Sequence, residues 1–185
     1  MSRYTTSYSI GYPRWTRAVK ILIIACSVTY LVQILIGPLF TAKFGLTPWD
    51  VTNKGYIWQL ATYIFLHADF FHILFNLFSL WMFGGELESY WGSRKFLFYF
   101  FFCGIGAGIF TVLFSPYPVI GASGAIYGIL LAFGWLFPNR PIYIYFFFPL
   151  PAKYMVILFG LIEFFSSGSA AGGVAHLTHL GGLVF

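Results

Sequence analysis

Residues 95–114 read KFLFYFFFCGIGAGIFTVLF, a stretch of twenty residues whose one charge stands at its first position. A helix needs about 20 mostly apolar residues to cross a hydrocarbon core of about 30 Å, so this stretch predicts a membrane-spanning helix. The remainder of the 185-residue chain has the same character, with 59% hydrophobic and 8% charged residues. A soluble domain carries about 25% charged residues, so we exclude a water-soluble globule.

Further apolar segments lie on both sides of this one. The predicted spans are residues 19–36, 70–85, 95–114, 120–137, 152–165 and a segment that begins at Val174. A shorter apolar piece, 56–66, is predicted to lie at the interface or to dip into the bilayer as a loop buried by protein. Residues 166–173, all Ser, Gly and Ala, are predicted to form a flexible loop. The predicted fold class is therefore an all-α polytopic membrane protein, a bundle of six transmembrane helices.

The sixth segment is short for a span. Val174 to Phe185 is 12 residues. As a helix these residues extend about 18 Å at about 1.5 Å per residue, well below the thickness of the core. We expect the natural chain to continue beyond Phe185, so that the sixth helix is truncated in this sequence.

Lysine and arginine are unevenly distributed over the predicted loops. Eight lie on the side of the N-terminus, namely Arg3, Arg14, Arg17, Lys20, Arg94, Lys95, Arg140 and Lys153, and two, Lys43 and Lys54, lie on the other. The positive-inside rule then places the N-terminus in the cytoplasm. We divide the chain into a cytoplasmic segment, 1–18, and a membrane domain, 19–185, and expect it in the plasma membrane. The net charge of +5 is too thinly spread to favour nucleic acid as a partner.

Polar side chains are few within the predicted spans, where hydrocarbon penalises them. The second, fourth and sixth spans carry His72, Asn76, Ser123, His176, Thr178 and His179. All lie within about two helical turns of the outer end of their spans, so three helices can bring them to one site. Taken one at a time, each residue also has a structural interpretation. The serine can hydrogen-bond to the preceding helical turn, and the other polar groups can hydrogen-bond between helices.

Small residues surround two of these positions. Gly121 and Gly124 flank Ser123, and Gly182 follows His179 by three residues. Small residues let two helix backbones approach closely. A hydrogen bond of about 2.6 to 3.2 Å between the serine and the histidine would need that approach, although plain helix packing explains the same pattern.

Taken together, these motifs resemble the rhomboid family of intramembrane serine proteases over residues 56–185. The matching motifs are Gly-x-Ser-Gly at 121–124, Tyr127 one turn later, His67, His72 and Asn76, His-x-x-Gly at 179–182, and Glu88 with Gly92-Ser93. The chain departs from the family in its short sixth helix. It also carries Trp58-Gln59 where the family often has Trp-Arg.

The resemblance implies a role for each matching residue. Ser123 would be the nucleophile and His179 the general base, while His72 and Asn76 would line the oxyanion hole. The alternative base, His176, lies nearly a turn closer to the loop and lacks a glycine three residues later, so we favour His179.

No acidic residue is expected to orient the histidine. Four of the five acids fall in predicted loops or at span ends, and Glu163, near the outer end of the fifth span, is expected to pair structurally. We therefore expect a Ser-His dyad in which Tyr127 packs against the imidazole, with no metal and no cofactor.

The predicted function is serine endopeptidase activity that cuts single-span membrane proteins within the lipid bilayer, near its outer face. The alternative is a non-catalytic rhomboid-like chaperone or binding protein, against which the retention of Ser123 and His179 argues. A small transporter is less well supported, because nothing indicates inverted repeats or broken helices at the midplane. The oligomeric state is left open.

Overall fold

Helices make up most of the chain in the computed structural model, which describes residues 14–144, 148–167 and 176–185. They are α1 (Arg17–Ile36), α2 (Pro38–Phe44), α3 (Pro48–Lys54), α4 (Gln59–Thr62), α5 (Phe70–Ser79), α6 (Gly85–Trp91), α7 (Ser93–Phe114), α8 (Ser123–Leu136), α9 (Ala152–Ser166) and α10 (His176–Val184). A 3-10 turn, Tyr63–Phe65, follows α4, and a π-helical turn, Leu80–Gly84, joins α5 to α6. The described strands form one antiparallel pair, β1 (Pro141–Ile144) and β2 (Phe148–Pro151).

Three helical stretches of the described chain are long and apolar enough to cross a membrane. They are Arg17–Ile36, Phe70–Trp91 and Ser93–Phe114, and α8 is a shorter apolar helix. Large apolar side chains remain exposed along α1, as expected of a surface that faces lipid rather than water. The prediction of an all-α polytopic membrane fold is confirmed.

Several predicted boundaries shift in the structure. The fourth span was predicted from residue 120, but α8 begins at Ser123 because Val119 exchanges backbone hydrogen bonds of 2.9 and 3.0 Å with Leu46. The second span continues past Gly85 to Trp91. The predicted loop at 166–173 lies largely outside the described residues, as does Val174, and α10 is described from His176.

Helices α7, α8 and α10 pack directly against one another and form the support of the site. Gly104 of α7 lies so close to the 3-10 turn that an added Cβ would stand 2.6 Å from the Cδ1 atom of Ile64. Its carbonyl also accepts a 2.6 Å hydrogen bond from the hydroxyl of buried Tyr63. The predicted dipping piece, 56–66, is thus fixed against α7 by both packing and hydrogen bonding.

The first loop is anchored although it has glutamine where the family often has arginine. The Gln59 side chain is fully buried, accepts from the N–H of Thr47 at 3.0 Å and donates to the carbonyl of Lys43 at 3.3 Å. The indole N–H of Trp58 donates to the same carbonyl at 3.1 Å. A neutral amide that both donates and accepts therefore holds this loop together.

The carboxylate of Glu88 joins α6 to the beginning of α1. It accepts from the backbone N–H groups of Ala18 and Val19 at 2.8 and 2.9 Å, and also from the hydroxyls of Thr16 and Ser93. A carboxylate at this position satisfies free N–H groups of the first helical turn and complements the helix dipole. The proposed division of the chain at residue 18 falls inside this helix.

Candidate active site

Ser123 is the first residue of α8, and the backbone before it is shaped by Gly121. This glycine has φ +124°, a conformation that favours glycine, and its N–H donates to the carbonyl of Tyr63 at 2.9 Å. An added Cβ would stand 2.7 Å from the Nε2 atom of His72. Gly121 therefore provides both the turn into α8 and the space that the His72 ring occupies.

His179 of α10 faces Ser123 across a close helix contact. Its Nε2 atom lies 2.8 Å from the Ser123 hydroxyl oxygen, and 8% of the His179 surface is exposed. At Gly182 an added Cβ would stand 1.9 Å from the carbonyl oxygen of Gly124. Because Gly124 and Gly182 lack side chains, α8 and α10 can approach closely enough for the serine and the histidine to form a hydrogen bond.

Tyr127 packs on the His179 imidazole. The two rings are stacked with centroids 4.4 Å apart and an interplanar angle of 14°. The Tyr127 hydroxyl donates to a carboxylate oxygen of Glu163 on α9. Tyrosine therefore holds the imidazole plane by contact and also connects it to an acid.

Glu163 corrects the expectation that no acid is placed to orient the histidine. One carboxylate oxygen lies 3.0 Å from the Nδ1 atom of His179, although that contact is not aligned as a hydrogen bond. The other oxygen forms a 2.6 Å hydrogen bond with the Nδ1 atom of His176. The charge of Glu163 therefore lies beside the imidazole edge opposite the one that faces Ser123.

His72 lies over the start of α8 with a defined tautomer. Its Nδ1 atom accepts from the N–H of Ala68 at 3.2 Å, so in the neutral ring the proton is on Nε2. That Nε2 atom is the one that lies against Gly121, next to the serine turn. The ring thus presents a donor on the side of Ser123.

Asn76 is one helical turn after His72 on α5. Its side-chain amide donates to the His72 carbonyl at 2.8 Å, which uses one of its two N–H groups. It is buried, with 7% of its surface exposed. Helix α5 packs on α8, so Asn76 and His72 share the helix that faces the serine turn.

His67 supports this side of the site from the loop before α5. Its backbone is held by Gln33 of α1, which accepts from its N–H at 3.1 Å and donates to its carbonyl at 2.9 Å. The ring is fully buried edge-on to His72, with centroids 5.1 Å apart. Burial, and secondarily the neighbouring His72, lowers the pKa of His67 to about 4.

The structure brings most of the predicted site residues together. His179 contacts both Ser123 and Tyr127, the glycines allow the approach, and His72 lies against the same turn. Sequence reasoning missed the contact of Glu163. A usable signal was present, because Glu163 and His176 were both predicted near the outer ends of adjacent spans.

One group of side chains has the composition of a metal site. The ligand atoms of Glu163, His176 and His179 all lie within 4.8 Å of one another. Two imidazoles and one carboxylate are a donor set used by zinc in proteins.

A partly buried serine in contact with a buried histidine, held between close-packed apolar helices, defines the class: a polytopic helical membrane protein with the side chains of a hydrolase. Residues 54–185 match the family model described as Rhomboid domain. The chain belongs to the rhomboid family.

Curated relatives agree with this assignment. Rhomboid protease GluP of Bacillus subtilis (strain 168) is 34% identical over 142 residues, which is 76% of this chain and 27% of that protein. Rhomboid protease GlpG of Salmonella typhi is 33% identical over 65% of this chain and 43% of its own length. Rhomboid protein 1, mitochondrial, of Saccharomyces cerevisiae is 31% identical over 77% of this chain and 43% of its own. The chain thus spans less than half the length of these relatives.

Proposed function

We propose that this protein is an intramembrane serine endopeptidase whose reacting groups are Ser123 and His179. The observation that carries the proposal is the 2.8 Å contact between the Ser123 hydroxyl and the Nε2 atom of His179. A serine hydroxyl is a weak nucleophile until a neighbouring base accepts its proton, and a neutral imidazole is suited to that task. The relatives named as proteases support the same activity.

The reaction proceeds in two halves. In the first, His179 takes the hydroxyl proton as Ser123 bonds to the scissile carbonyl carbon, and it then gives that proton to the amine that leaves. In the second, a water loses a proton to His179 and attacks the acyl-serine, and the proton returns to Ser123 as the new carboxyl terminus departs. Each bond to serine that forms is broken again, so the enzyme is regenerated.

Charge stabilisation is assigned to groups on two helices. The Nε2–H group of His72 and the second amide N–H of Asn76 are the proposed donors to the oxyanion that forms on the scissile carbonyl. Glu163 is a proposed positioning residue, whose negative charge at the far edge of the His179 ring favours the imidazolium formed in each half-reaction. The Ser-His dyad carries the covalent chemistry, and Tyr127 holds the ring plane.

The proposed substrates are single-span membrane proteins, cut near the outer membrane face. This proposal rests on the inferred orientation in the plasma membrane, with the N-terminus in the cytoplasm. It also rests on the position of Ser123 as the first residue of α8. A helical peptide bond is shielded by its own hydrogen bonds, so the substrate helix must unwind there. Helix-weakening Gly, Pro or polar residues near its outer end should therefore be required.

The deciding experiment is labelling of the detergent-solubilised protein with a fluorophosphonate probe, read by mass spectrometry. We expect labelling at Ser123 and none in Ser123→Ala. His179→Ala should abolish labelling and cleavage, whereas the matched variant His176→Ala should retain both. Cleavage by Ser123→Ala within about tenfold of wild type would contradict the assignment, because loss of a nucleophile costs far more.

The second candidate is a non-catalytic rhomboid-like protein that binds transmembrane segments. It would be favoured by folded wild-type protein that captures a transmembrane peptide but is not labelled. A model substrate in which the outer helix-weakening residues are replaced by leucine separates the two candidates further. The protease should cut it far more slowly, and product masses should place the cut in the outer half of the span.

A further inference from the structure

Three potential metal ligands converge next to the Ser-His pair. Glu163 projects from α9, while His176 and His179 are three residues apart on α10 and therefore share one face of that helix. The carboxylate oxygens lie 2.6 Å from the Nδ1 atom of His176 and 3.0 Å from that of His179. Both imidazoles thus present the same ring nitrogen to one buried carboxylate.

The separations suit a shared ion after small adjustments. Ligand atoms on a tetrahedral zinc, at about 2.1 Å from the metal, are about 3.4 Å apart. The two carboxylate contacts would widen by less than 1 Å, and the ligand nitrogens of the two histidines, which lie within 4.8 Å of each other, would close by up to about 1.4 Å.

Two further observations indicate a ligand here. The Nδ1 atom of His179 is buried and has no aligned hydrogen-bond partner in the described part of the chain, so its hydrogen-bonding capacity is not satisfied there. The Tyr127 hydroxyl donates to the carboxylate, as an outer-shell group does when it orients a metal ligand. His176 retains 17% side-chain exposure, which gives an ion a point of entry.

We propose that Glu163, His176 and His179 form a binding site for a divalent transition-metal ion of the zinc type, and that the bound ion inhibits the protease. Nitrogen ligands favour zinc-like ions over Mg²⁺ and Ca²⁺, which prefer oxygen. This inference departs from the expectation of no metal. Its inhibitory half rests on the proposed function, whereas its binding half does not.

Inhibition follows from the two nitrogens of one ring. When Nδ1 of His179 ligates the metal, it cannot also carry a proton. The neutral imidazole then has its single N–H proton on Nε2. The Nε2 atom that faces Ser123 then donates instead of accepting, so it cannot take the hydroxyl proton. The ion also neutralises the Glu163 charge that favours the imidazolium. Binding and proton transfer therefore exclude each other.

Binding is measured with Co²⁺, which replaces zinc and gives visible d–d absorption in a tetrahedral site. The protein is the full chain in detergent, stripped with a chelator and titrated as wild type, Ser123→Ala, His176→Gln and Glu163→Gln. We expect one Co²⁺ per chain in wild type and in Ser123→Ala, displaced by Zn²⁺. His176→Gln and Glu163→Gln should bind more than about 100-fold more weakly, since loss of an outer-shell group alone costs about 10 to 100-fold.

The matched control is Glu86→Gln, which removes a carboxylate paired with Arg140 away from the cluster and should bind like wild type. Failure of wild type to bind Co²⁺, or equal binding by Glu163→Gln, would overturn the site. Binding by Ser123→Ala reports on the site even if the protein is no protease.

Inhibition is measured separately, as cleavage of a transmembrane substrate with and without Zn²⁺. Wild type should lose activity over the concentration range in which Zn²⁺ displaces Co²⁺, and a chelator should restore it. His176→Gln should remain active in zinc. Unchanged wild-type cleavage at saturating Zn²⁺ would overturn the inhibitory role while leaving the site intact.

Discussion

Replacing Gly182 by alanine tests whether the closeness of α8 and α10 sets the candidate chemistry. The new Cβ would stand 1.9 Å from the carbonyl oxygen of Gly124, whereas real Cβ contacts essentially never fall below 3.0 Å. The two backbones must therefore separate by at least about 1.1 Å, because neither atom belongs to a side chain that could rotate away. The same displacement would lengthen the 2.8 Å contact between Ser123 and His179 to about 3.9 Å, beyond hydrogen-bond range.

The expected loss is large and specific. A displacement of about 1 Å at a reacting pair costs on the order of 100-fold, which is about 2.7 kcal/mol in activation free energy. Turnover should be measured on a transmembrane substrate in lipid vesicles, together with the rate of fluorophosphonate labelling at Ser123. Both should fall together, because both depend on proton transfer to His179.

Gly160→Ala is the matched control. It also places alanine in a helix, but its added Cβ would meet only Leu183, at 3.6 Å, which is ordinary contact. Both changes improve helix propensity by about 1 kcal/mol, so propensity cannot explain a difference between them. If Gly182→Ala keeps turnover within tenfold of Gly160→Ala, close backbone approach is not what positions the pair.

Three further predictions concern the surroundings of the pair. Asn76→Ala should lower turnover by about 10² to 10³ with little change in KM, as loss of one oxyanion donor does in soluble serine proteases; a raised KM alone would make it a recognition residue. Glu163→Gln should lower turnover by more than tenfold but by less than the roughly 10⁴ of an aligned triad acid, with Glu86→Gln as the unaffected control. Because burial lowers the pKa of His67 from 6.5 to about 4, the unfolded chain takes up this proton first, so stability is complete above pH 6.5 and declines towards pH 4. The free energy of unfolding, measured by denaturant titration at each pH, should fall by up to about 3 kcal/mol across that range, and by less in His67→Gln; parallel curves would contradict this.

The apolar helices could be predicted closely because their signal is local. Span length follows from the bilayer thickness, and apolar runs show where each helix lies. The small residues around Ser123 and His179 were also readable, since glycine at matching positions on two helices indicates close approach. What these signals share is that each is carried by a short stretch of sequence.

The contact of Glu163 with His179 depends instead on the rotation of α9 about its own axis. Exposed Ile157, Leu158 and Phe159 are turned by about 100° from one to the next, so this helix is apolar on several sides and hydropathy does not indicate which face meets α10. The position of Glu163 along its helix was predictable, but its angle around the helix was not. The start of α8 was missed for a related reason, since the pairing of Val119 with Leu46 joins residues far apart in sequence.

The junction between α1 and Glu88 bears on how the protein can be divided for expression. The family match begins at residue 54, yet a carboxylate inside that match, with 3% of the Glu88 surface exposed, accepts from Thr16, Ala18 and Val19. A fragment that starts at residue 54 would lose three of these donors and would uncover the Glu88 carboxylate together with the apolar surface that α1 covers. We therefore expect the N-terminal helix to stabilise the matched region, and an expression boundary belongs ahead of Arg14, whose backbone lies against Gly85.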